Sequence, residues 1–304
     1  MQGSLTIERL CHLAEVSRVG FYRYLRGQQP RVEEMTVRDA IQEIALSHRR
    51  RYGYRRITAE LRRRGMVVNH KRVARLMRND NLLALRKQKF VLTTASRHDL
   101  GIYFNLASQL EVTGADQLWV ADITYIRLQT EFVYLAVILD RYSRRVVGWS
   151  LERHCRAQLA VTALEQAVAA RKPSPGLVHH SDRGVQYACP EYLKVLRQHQ
   201  IVSSMSRAGC PYDNAACESF MSTLKREEIT ANEYRDLEDL RAHVSEFIEQ
   251  YYNRQRLHSA LGYLTPVEFE ACSSAPALSP KISLKAADEL SFSRHGKSIN
   301  PMLG

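Results

Sequence analysis

Three acidic residues, Asp122, Asp182 and Glu218, stand where carboxylates could bind a hard metal ion. Asp122 interrupts the otherwise mostly apolar run 118–126, which predicts a buried central strand. A carboxylate on such a strand is costly unless it is paired or bound to a metal. Asp182 ends another predicted strand, and ligand-binding groups of open α/β sheets gather at the carboxyl ends of strands. Glu218 falls on the polar face of a predicted helix.

Each of these residues also has an ordinary structural explanation when it is taken alone. Asp122 could pair with a buried arginine, Asp182 could cap the turn that follows it, and Glu218 could be an exposed helical side chain. Together they favour a site for two Mg²⁺ or Mn²⁺ ions, because Mg²⁺ prefers one or two carboxylates per ion plus water and substrate phosphate. Two such ions can activate the attacking oxygen and stabilise the leaving oxygen of a phosphodiester.

Histidine and lysine side chains flank two of these carboxylates. His179 and His180 precede Asp182, and we expect them to shape the site rather than to bind a soft metal. Lys225 follows Glu218 by seven residues, about two helical turns, and so returns to nearly the same side of the helix. The six cysteines form no Cys-x-x-Cys pair, so their spacing does not indicate a zinc site.

The positive charge of the chain is concentrated in its first third. The 304 residues carry a formal net charge of +12, but residues 1–100 alone hold 22 Lys and Arg against 9 Asp and Glu, a net of +13. A phosphate backbone is the usual partner of such a basic segment, so we predict that this part binds double-stranded DNA. A solvated basic surface that only aids solubility is the alternative.

Helical patterns in the basic region support the DNA-binding interpretation. Ser17 is a good N-cap for the second of two short helices, and Asn69 can cap a later helix whose apolar residues share one face. A helix, a short turn and a basic helix form the layout of a helix-turn-helix, whose second helix enters the major groove. The candidate DNA-binding residues are the basic side chains of this region: Arg55, Arg56, His70, Lys71, Arg72, Arg75 and Arg78.

The pattern changes after residue 113, where three sequential strands are followed by alternating helices and strands. This order predicts an α/β fold whose sheet has a meander at one edge. No run of eighteen apolar residues and no export signal occur, so we expect a cytoplasmic protein without a membrane partner. The predicted parts are a helix-turn-helix-like segment (1–30), a basic helical DNA-binding domain (31–85), a linker (86–113), a catalytic core (114–272) and a poorly ordered tail (273–304).

Four motifs in this part of the chain resemble a known family. They are Trp119–Tyr125, His180–Tyr187, Asp213–Phe220 with Thr223–Lys225, and Tyr252–His258 with its continuation to Thr265 and Pro266. In this order, and with 35 residues between Asp182 and Glu218, they resemble the catalytic core of retroviral integrases and DDE transposases. The resemblance is greatest to the second-frame protein of the insertion-sequence-three family, and it covers roughly residues 45–270.

The resemblance implies a ribonuclease-H-like core, a mixed five-stranded sheet flanked by helices, preceded by helix-turn-helix-like segments. It implies a catalytic triad of Asp122, Asp182 and Glu218 that holds two Mg²⁺ or Mn²⁺ ions, with Lys225 supporting DNA near the scissile phosphate. The implied partners are the terminal inverted repeats of an element, target DNA and further copies of this chain, on the bacterial nucleoid. The chain would also be fused to, or act with, the protein of an upstream reading frame.

Two other functions compete with transposition at this point. A structure-specific nuclease of the same fold would use similar carboxylates without requiring the four motifs. A catalytically inactive DNA-binding regulator of transposition would need only the basic region, although it would have no reason to keep an intact set of carboxylates. A strand-transfer assay with pre-cleaved DNA ends separates the three.

Overall fold

The structure is a computed structural model, and it describes residues 6–28, 32–83, 103, 105–107, 110–129, 131–206 and 214–274. The chain divides into two compact units, Met1–Gln88 and Lys89–Gly304. Most of the predicted linker 86–113 and nearly all of the predicted tail 273–304 lie outside the described residues. Among the described helices, none combines the length and the apolar character needed to cross a membrane.

The first unit is helical in its described residues. Thr6 and Ser17 cap the first two helices, the latter by accepting a hydrogen bond from the Gly20 amide at 3.0 Å, as the sequence predicted for Ser17. The second helix extends to Gln28. The helices are α1 (Ile7–Leu13), α2 (Arg18–Gln28), α3 (Val32–Ser47), α4 (Tyr54–Arg63) and α5 (His70–Asn79).

Helices α3, α4 and α5 pack around a small apolar core. Helix α4 begins at Tyr54, because the extended Gly53 precedes it as the N-cap residue. Asn69 caps α5 as predicted, accepting a hydrogen bond from the Lys71 amide at 2.8 Å. The predicted apolar face of α5 is fully buried, together with residues of α3 and α4: Ile41, Ile44, Ile57, Leu61, Val73, Leu76 and Met77.

The described part of the second unit holds a mixed five-stranded sheet with the order β3-β2-β1-β4-β5. β1, β2 and β3 form the predicted antiparallel meander, and β4 and β5 join β1 in parallel. This is the ribonuclease-H-like arrangement that the resemblance implied, with β1 in the centre of the sheet. The strands are β1 (Leu118–Arg127), β2 (Phe132–Asp140), β3 (Val146–Glu152), β4 (Val178–Ser181) and β5 (Val202–Met205).

Helices cover the sheet and form the main apolar core of this unit. The helix Ala157–Arg171 crosses β3 at Gly148, where a Cβ would lie only 2.2 Å from the carbonyl oxygen of Ala163. Any side chain at this position would therefore push the helix off the sheet. The helices before the last strand are α6 (Ala157–Arg171), α7 (Val185–Ala188) and α8 (Pro190–Gln198).

The C-terminal part of the unit adds helices that change their winding. α9 (Ala215–Leu224) continues into a wider π-helical turn, Lys225–Ile229, and α10 (Leu237–Ser245) continues into a second one, Glu246–Tyr252. A short 3-10 turn, Ser259–Leu261, precedes α11 (Pro266–Ser274).

Helix α11 begins with a capping box. The Thr265 amide donates to Glu268 at 2.9 Å, and the Glu268 amide donates back to the Thr265 hydroxyl at 3.2 Å. Further along the helix, Glu270 accepts hydrogen bonds from Arg145 at 2.7 Å and from Arg171 at 2.9 Å. These contacts attach α11 to the end of the sheet next to β3 and α6.

Candidate active site and nucleic-acid interface

The register of the parallel strands places Asp122 and Asp182 side by side. Val120 on β1 lies opposite His180 on β4. Asp122 and Asp182 each follow two residues later, so their side chains leave the sheet on the same face as those of Val120 and His180. Neighbouring strands are about 4.8 Å apart, which brings the two carboxylates close together, with Asp122 in the middle of β1 and Asp182 directly after β4.

The charge on Asp122 is poorly accommodated by its surroundings. Burial and then the neighbouring charge of Asp182 raise the pKa of Asp122 to about 7, and Glu218 acts in the same direction. The backbone amide of Ile123, which donates to Asp122 at 3.0 Å, and the ammonium of Lys225 only partly offset this. The three carboxylates therefore form one electrostatically coupled cluster with more negative charge than its surroundings neutralise.

We expect this cluster to make the metal-free protein less stable as the pH rises. The raised pKa of Asp122 means that the folded protein binds this proton more tightly than the unfolded chain does, so the stabilisation is complete below about pH 4 and is lost as the pH passes 7. Asp122→Asn should remove this dependence and should melt at a higher temperature than the wild type at pH 8 in EDTA. Thermal melting at pH 5 and pH 8 measures both effects.

The wild-type protein in Mg²⁺ is the control for this prediction. A bound cation replaces the proton as the neutralising charge, so Mg²⁺ at pH 8 should recover the stability that the wild type loses and should leave Asp122→Asn nearly unchanged. Parallel pH profiles for the two proteins in EDTA would contradict the electrostatic description of the cluster.

Helix α9, which carries Glu218, is anchored to β1 beside Asp122. The Asn214 amide group donates to the carbonyl oxygen of Ala121 at 2.9 Å, and the Cys217 thiol donates to that of Val120 at 3.2 Å. Both donors are buried, and Glu218 follows Cys217 directly as an exposed side chain. Sequence reasoning assigned no role to Asn214 or Cys217, although both lie within the motif around Glu218.

Lys225 lies at the point where α9 widens into its π-helical turn. Its ammonium is 5.2 Å from the centroid of the Tyr125 ring, and the side chain is half-buried. Burial lowers the pKa of Lys225, whereas the charge of Asp122 raises it. The lysine thus lies within electrostatic reach of Asp122 itself, a proximity that the helical spacing from Glu218 could not show.

Asp182 also shapes the turn that follows it, as its ordinary structural explanation suggested. One of its carboxylate oxygens accepts a hydrogen bond from the Gly184 amide at 2.9 Å. A Cβ on Gly184 would lie 3.0 Å from this oxygen and 3.1 Å from the side-chain oxygen of Gln186, which explains the glycine. A side chain that caps a turn through one oxygen can still offer its other oxygen to a ligand.

His179 and His180 are buried and hydrogen-bonded to hydroxyl groups. The two ring nitrogens of His180 lie 2.9 Å from the hydroxyl of Ser204 and 3.0 Å from that of Ser206. His179 lies 2.9 Å from the hydroxyl of Tyr192, and burial lowers the pKa of His179 to about 3. Both rings connect β4 to the elements around it and so support the strand that ends at Asp182.

The donor chemistry of the carboxylate cluster suits Mg²⁺. Among the described residues, no three His, Cys, Asp or Glu side chains are already arranged around a single metal position. Mg²⁺ does not need such a set, because it keeps several waters and takes one or two carboxylates plus substrate phosphate. The pKa of Asp122 is raised because its negative charge is buried and lies near the charges of Asp182 and Glu218. A bound divalent cation would neutralise this negative charge.

The first unit exposes most of the predicted DNA-binding residues on one helix. His70, Lys71, Arg75 and Arg78 are exposed on α5, opposite its buried apolar face. Arg72 is half-buried, and its guanidinium lies 3.8 Å from the carboxylate of Glu34. The exposed cations of α5 are therefore His70 when protonated, Lys71, Arg75 and Arg78, while the charge of Arg72 is partly offset.

Arg55 and Arg56 lie on the first turn of α4. Arg55 is exposed and donates to the hydroxyl of Tyr54 at 3.2 Å, and the guanidinium of Arg56 lies 5.8 Å from the ring centroid of Tyr52. The ring of Tyr54 in turn stacks on His70 of α5 with 6.2 Å between centroids. The basic starts of the two helices are therefore neighbours.

Comparison with known proteins identifies both units. Residues 33–90 match the HTH-like domain family, and residues 112–211 and 199–266 match integrase core domain families. Among solved structures, the chain is similar to an intasome of simian T-cell lymphotropic virus, with a TM-score of 0.46 and 15% identity over 79% of this chain and 76% of that one.

Named relatives cover nearly the whole chain. The chain is 37% identical over 264 residues to the insertion element IS600 uncharacterized 31 kDa protein of Shigella sonnei, which covers 86% of this chain and 97% of that protein. It is also 37% identical over 274 residues to the transposase InsF for insertion sequence IS3A of Escherichia coli, over 88% of this chain and 95% of that one. The chain therefore belongs to the IS3-family transposases, enzymes that cut and join DNA.

Proposed function

We propose that Asp122, Asp182 and Glu218 bind two Mg²⁺ or Mn²⁺ ions and that this site carries out the cleavage and strand-transfer steps of transposition. The observation that supports this most is the coupled pair in the middle of β1 and directly after β4, where Asp122 and Asp182 share one face of the sheet and Asp122 has a pKa of about 7. Metal bound there supplies charge stabilisation to the attacking and leaving oxygens of an in-line displacement.

The protein side chains have separate tasks in this proposal. Asp122 and Asp182 hold positions on a rigid sheet, whereas Glu218 reaches the site from α9, which Asn214 and Cys217 attach to β1. Placing ligands on three different elements lets the site close around a phosphate. Lys225 places a positive charge beside Asp122, where it can hold the phosphate next to the scissile bond.

The first unit supplies most of the affinity for DNA. Residues 1–100 carry a net charge of +13, so they neutralise many phosphates, and the exposed face of α5 is the part that enters the major groove. The substrates are the terminal inverted repeats of the element and its target DNA. The chain acts as a homo-oligomer on DNA at the bacterial nucleoid, together with or fused to the upstream-frame protein.

A strand-transfer assay with pre-cleaved ends tests this function. We expect joining of a DNA 3′-OH to target DNA in Mg²⁺ or Mn²⁺, binding with little joining in Ca²⁺, which accepts more ligands in a looser geometry, and no joining in EDTA. Cleavage of branched DNA without joining would favour a structure-specific nuclease. Tight binding without either reaction would favour an inactive regulator, and full turnover in EDTA would exclude the metal mechanism.

Substitutions on α5 should weaken DNA binding by the full chain. Replacing Lys71, Arg75 and Arg78 with Ala should lower the affinity and reduce the dependence of log K on log salt by about three contacts, since each phosphate contact contributes about 0.9 to that slope. Arg72→Ala should have a smaller effect than Arg75→Ala, because Glu34 already offsets part of its charge. A salt titration on one labelled duplex measures the affinity and the salt slope of the triple variant, of Arg72→Ala and of Arg75→Ala.

Arg197→Ala is the matched control for charge, because Arg197 is exposed and lies in the second unit. It removes the same single charge and should leave the slope unchanged. Equal losses for Arg75→Ala and Arg197→Ala would mean that overall charge, rather than the face of α5, determines the affinity.

A further inference from the structure

Two exposed aromatic rings lie together at the end of the β1–β2 hairpin. Tyr125 is 37% exposed and Phe132 is 51% exposed, and their rings meet edge to face with 5.9 Å between centroids. Arg127 pairs with Phe132 across the two strands, so Tyr125, Arg127 and Phe132 share one face of the sheet. We call Tyr125 and Phe132 the aromatic pair.

A cation lies against each ring of the aromatic pair. The ammonium of Lys225 is 5.2 Å from the centroid of Tyr125, and the guanidinium of Arg127 is 5.8 Å from the centroid of Phe132. Aromatic rings flanked by basic side chains are typical of surfaces that bind single-stranded nucleic acid, where bases stack on the rings and phosphates contact the cations.

The aromatic pair is connected to the candidate active site through Lys225. The same ammonium that lies over Tyr125 is within electrostatic reach of Asp122. Tyr125 leaves β1 on the face opposite to Asp122, but the register of β1 with β4 ends at Val120 and His180, so this edge of β1 is open beyond Asp122. A strand whose scissile phosphate lies at Asp122 would pass Lys225 at this open edge and bring a neighbouring nucleotide to Tyr125 and Phe132. The cations favour a polyanion over an apolar protein segment as the occupant of this surface.

We propose that Tyr125 and Phe132 form a stacking surface for an unpaired DNA base next to the scissile phosphate, with Lys225 and Arg127 holding the adjoining phosphates. This inference rests on the function proposed above. Its consequence is that the duplex is opened at the cleavage position, because a paired base is not available for stacking on a protein ring. The stacked base helps to hold the scissile phosphate in place.

The experiment measures the coupling between each ring and each base in the full-length protein. Uncleaved DNA ends carry an abasic nucleotide in turn at each of the positions flanking the scissile phosphate, and cleavage rates are measured for the wild type, Tyr125→Ala and Phe132→Ala. On intact DNA we expect each variant to lose on the order of 5- to 100-fold in rate, which is the range of one base–aromatic stacking contact. With the abasic nucleotide at one of these positions, the wild type should react as slowly as the variants do on intact DNA. The variants should show no further loss of rate on that DNA.

The controls separate stacking from a general loss of structure. Phe132→Tyr keeps an aromatic ring and should keep the rate, whereas Tyr142→Ala removes a ring that packs on Phe269 and should show no coupling to any base. Equal losses on every abasic DNA would overturn the proposal and indicate a protein-docking surface instead. Cleavage by the wild type without coupling overturns the stacking surface alone, while absence of cleavage by the wild type contradicts the proposed function itself.

Discussion

Asp122→Asn, Asp182→Asn and Glu218→Gln should each abolish both cleavage and joining of DNA while leaving the fold intact. An amide has nearly the same shape as a carboxylate but lacks its charge, so it cannot hold Mg²⁺ with the same strength. Because the three carboxylates are electrostatically coupled, loss of any one leaves a site that binds less cation. Strand transfer of pre-cleaved ends, together with circular dichroism, measures the two parts of this prediction.

Glu165→Gln is the matched control for the loss of a carboxylate. Glu165 is exposed on α6, and we expect this variant to keep full activity. Lys225→Ala should retain measurable but reduced joining, because it loses a contact to phosphate and no metal ligand. Substantial strand transfer by any one of the three carboxylate variants, with a normal fold, would show that this residue is not part of the site.

Arg256→Met should cause the largest loss of stability that we expect from a single substitution, about 3–5 kcal/mol. Arg256 donates two hydrogen bonds to Glu227, at 2.9 and 2.8 Å, and both side chains are only 4% exposed. Removing the guanidinium leaves a buried carboxylate without its main countercharge. Urea unfolding of the full chain at neutral pH measures the difference in the free energy of unfolding.

Arg226→Met provides a control that touches the same carboxylate. Arg226 lies 3.0 Å from Glu227 but is 50% exposed, so its loss should cost less than about 1 kcal/mol. A double variant, Glu227→Leu with Arg256→Met, should recover part of the stability, because it removes the unpaired buried charge. Equal destabilisation by Arg226→Met and Arg256→Met would contradict the role of burial.

The Glu227–Arg256 pair also explains the role of part of the motif 252–258, which the sequence identified only by its resemblance to a family. Glu227 belongs to the π-helical turn that begins at Lys225, and Arg256 belongs to the motif 252–258. Their ion pair joins the end of α9 to this motif. In the same motif, Asn253 exchanges two hydrogen bonds of 3.0 Å with the backbone of Val146 on β3. The motif therefore holds the scaffold around the site rather than the site itself.

Local sequence patterns predicted the elements that depend on nearby residues. The mostly apolar run around Asp122 indicated a central strand, Ser17 indicated the start of α2, and Asn69 indicated the start of α5, and the structure contains all three. These features depend on residues within a few positions of one another. Periodicity and capping therefore suffice to locate them.

Features that join distant segments were not visible in the sequence. The hydrogen bonds from Asn214 and Cys217 to β1 connect residues more than 90 positions apart, and they decide where Glu218 lies. The wider turn that begins at Lys225 and the proximity of this lysine to Asp122 and Tyr125 likewise involve residues about 100 positions apart. From the sequence, an ideal helix could place Lys225 relative to Glu218, but not relative to Asp122 or Tyr125.

The measurement that tests the metal site most directly is the binding of Mn²⁺ to the full-length protein on pre-cleaved DNA ends, monitored through the electron paramagnetic resonance signal of free Mn²⁺. We expect the wild type to remove two ions per active site from solution at pH 8. Asp122→Asn, Asp182→Asn and Glu218→Gln should each bind fewer, while the control Glu165→Gln should match the wild type. Undiminished Mn²⁺ binding by Asp122→Asn and Asp182→Asn, with DNA still bound, would contradict the assignment of these carboxylates as the metal ligands of this transposase.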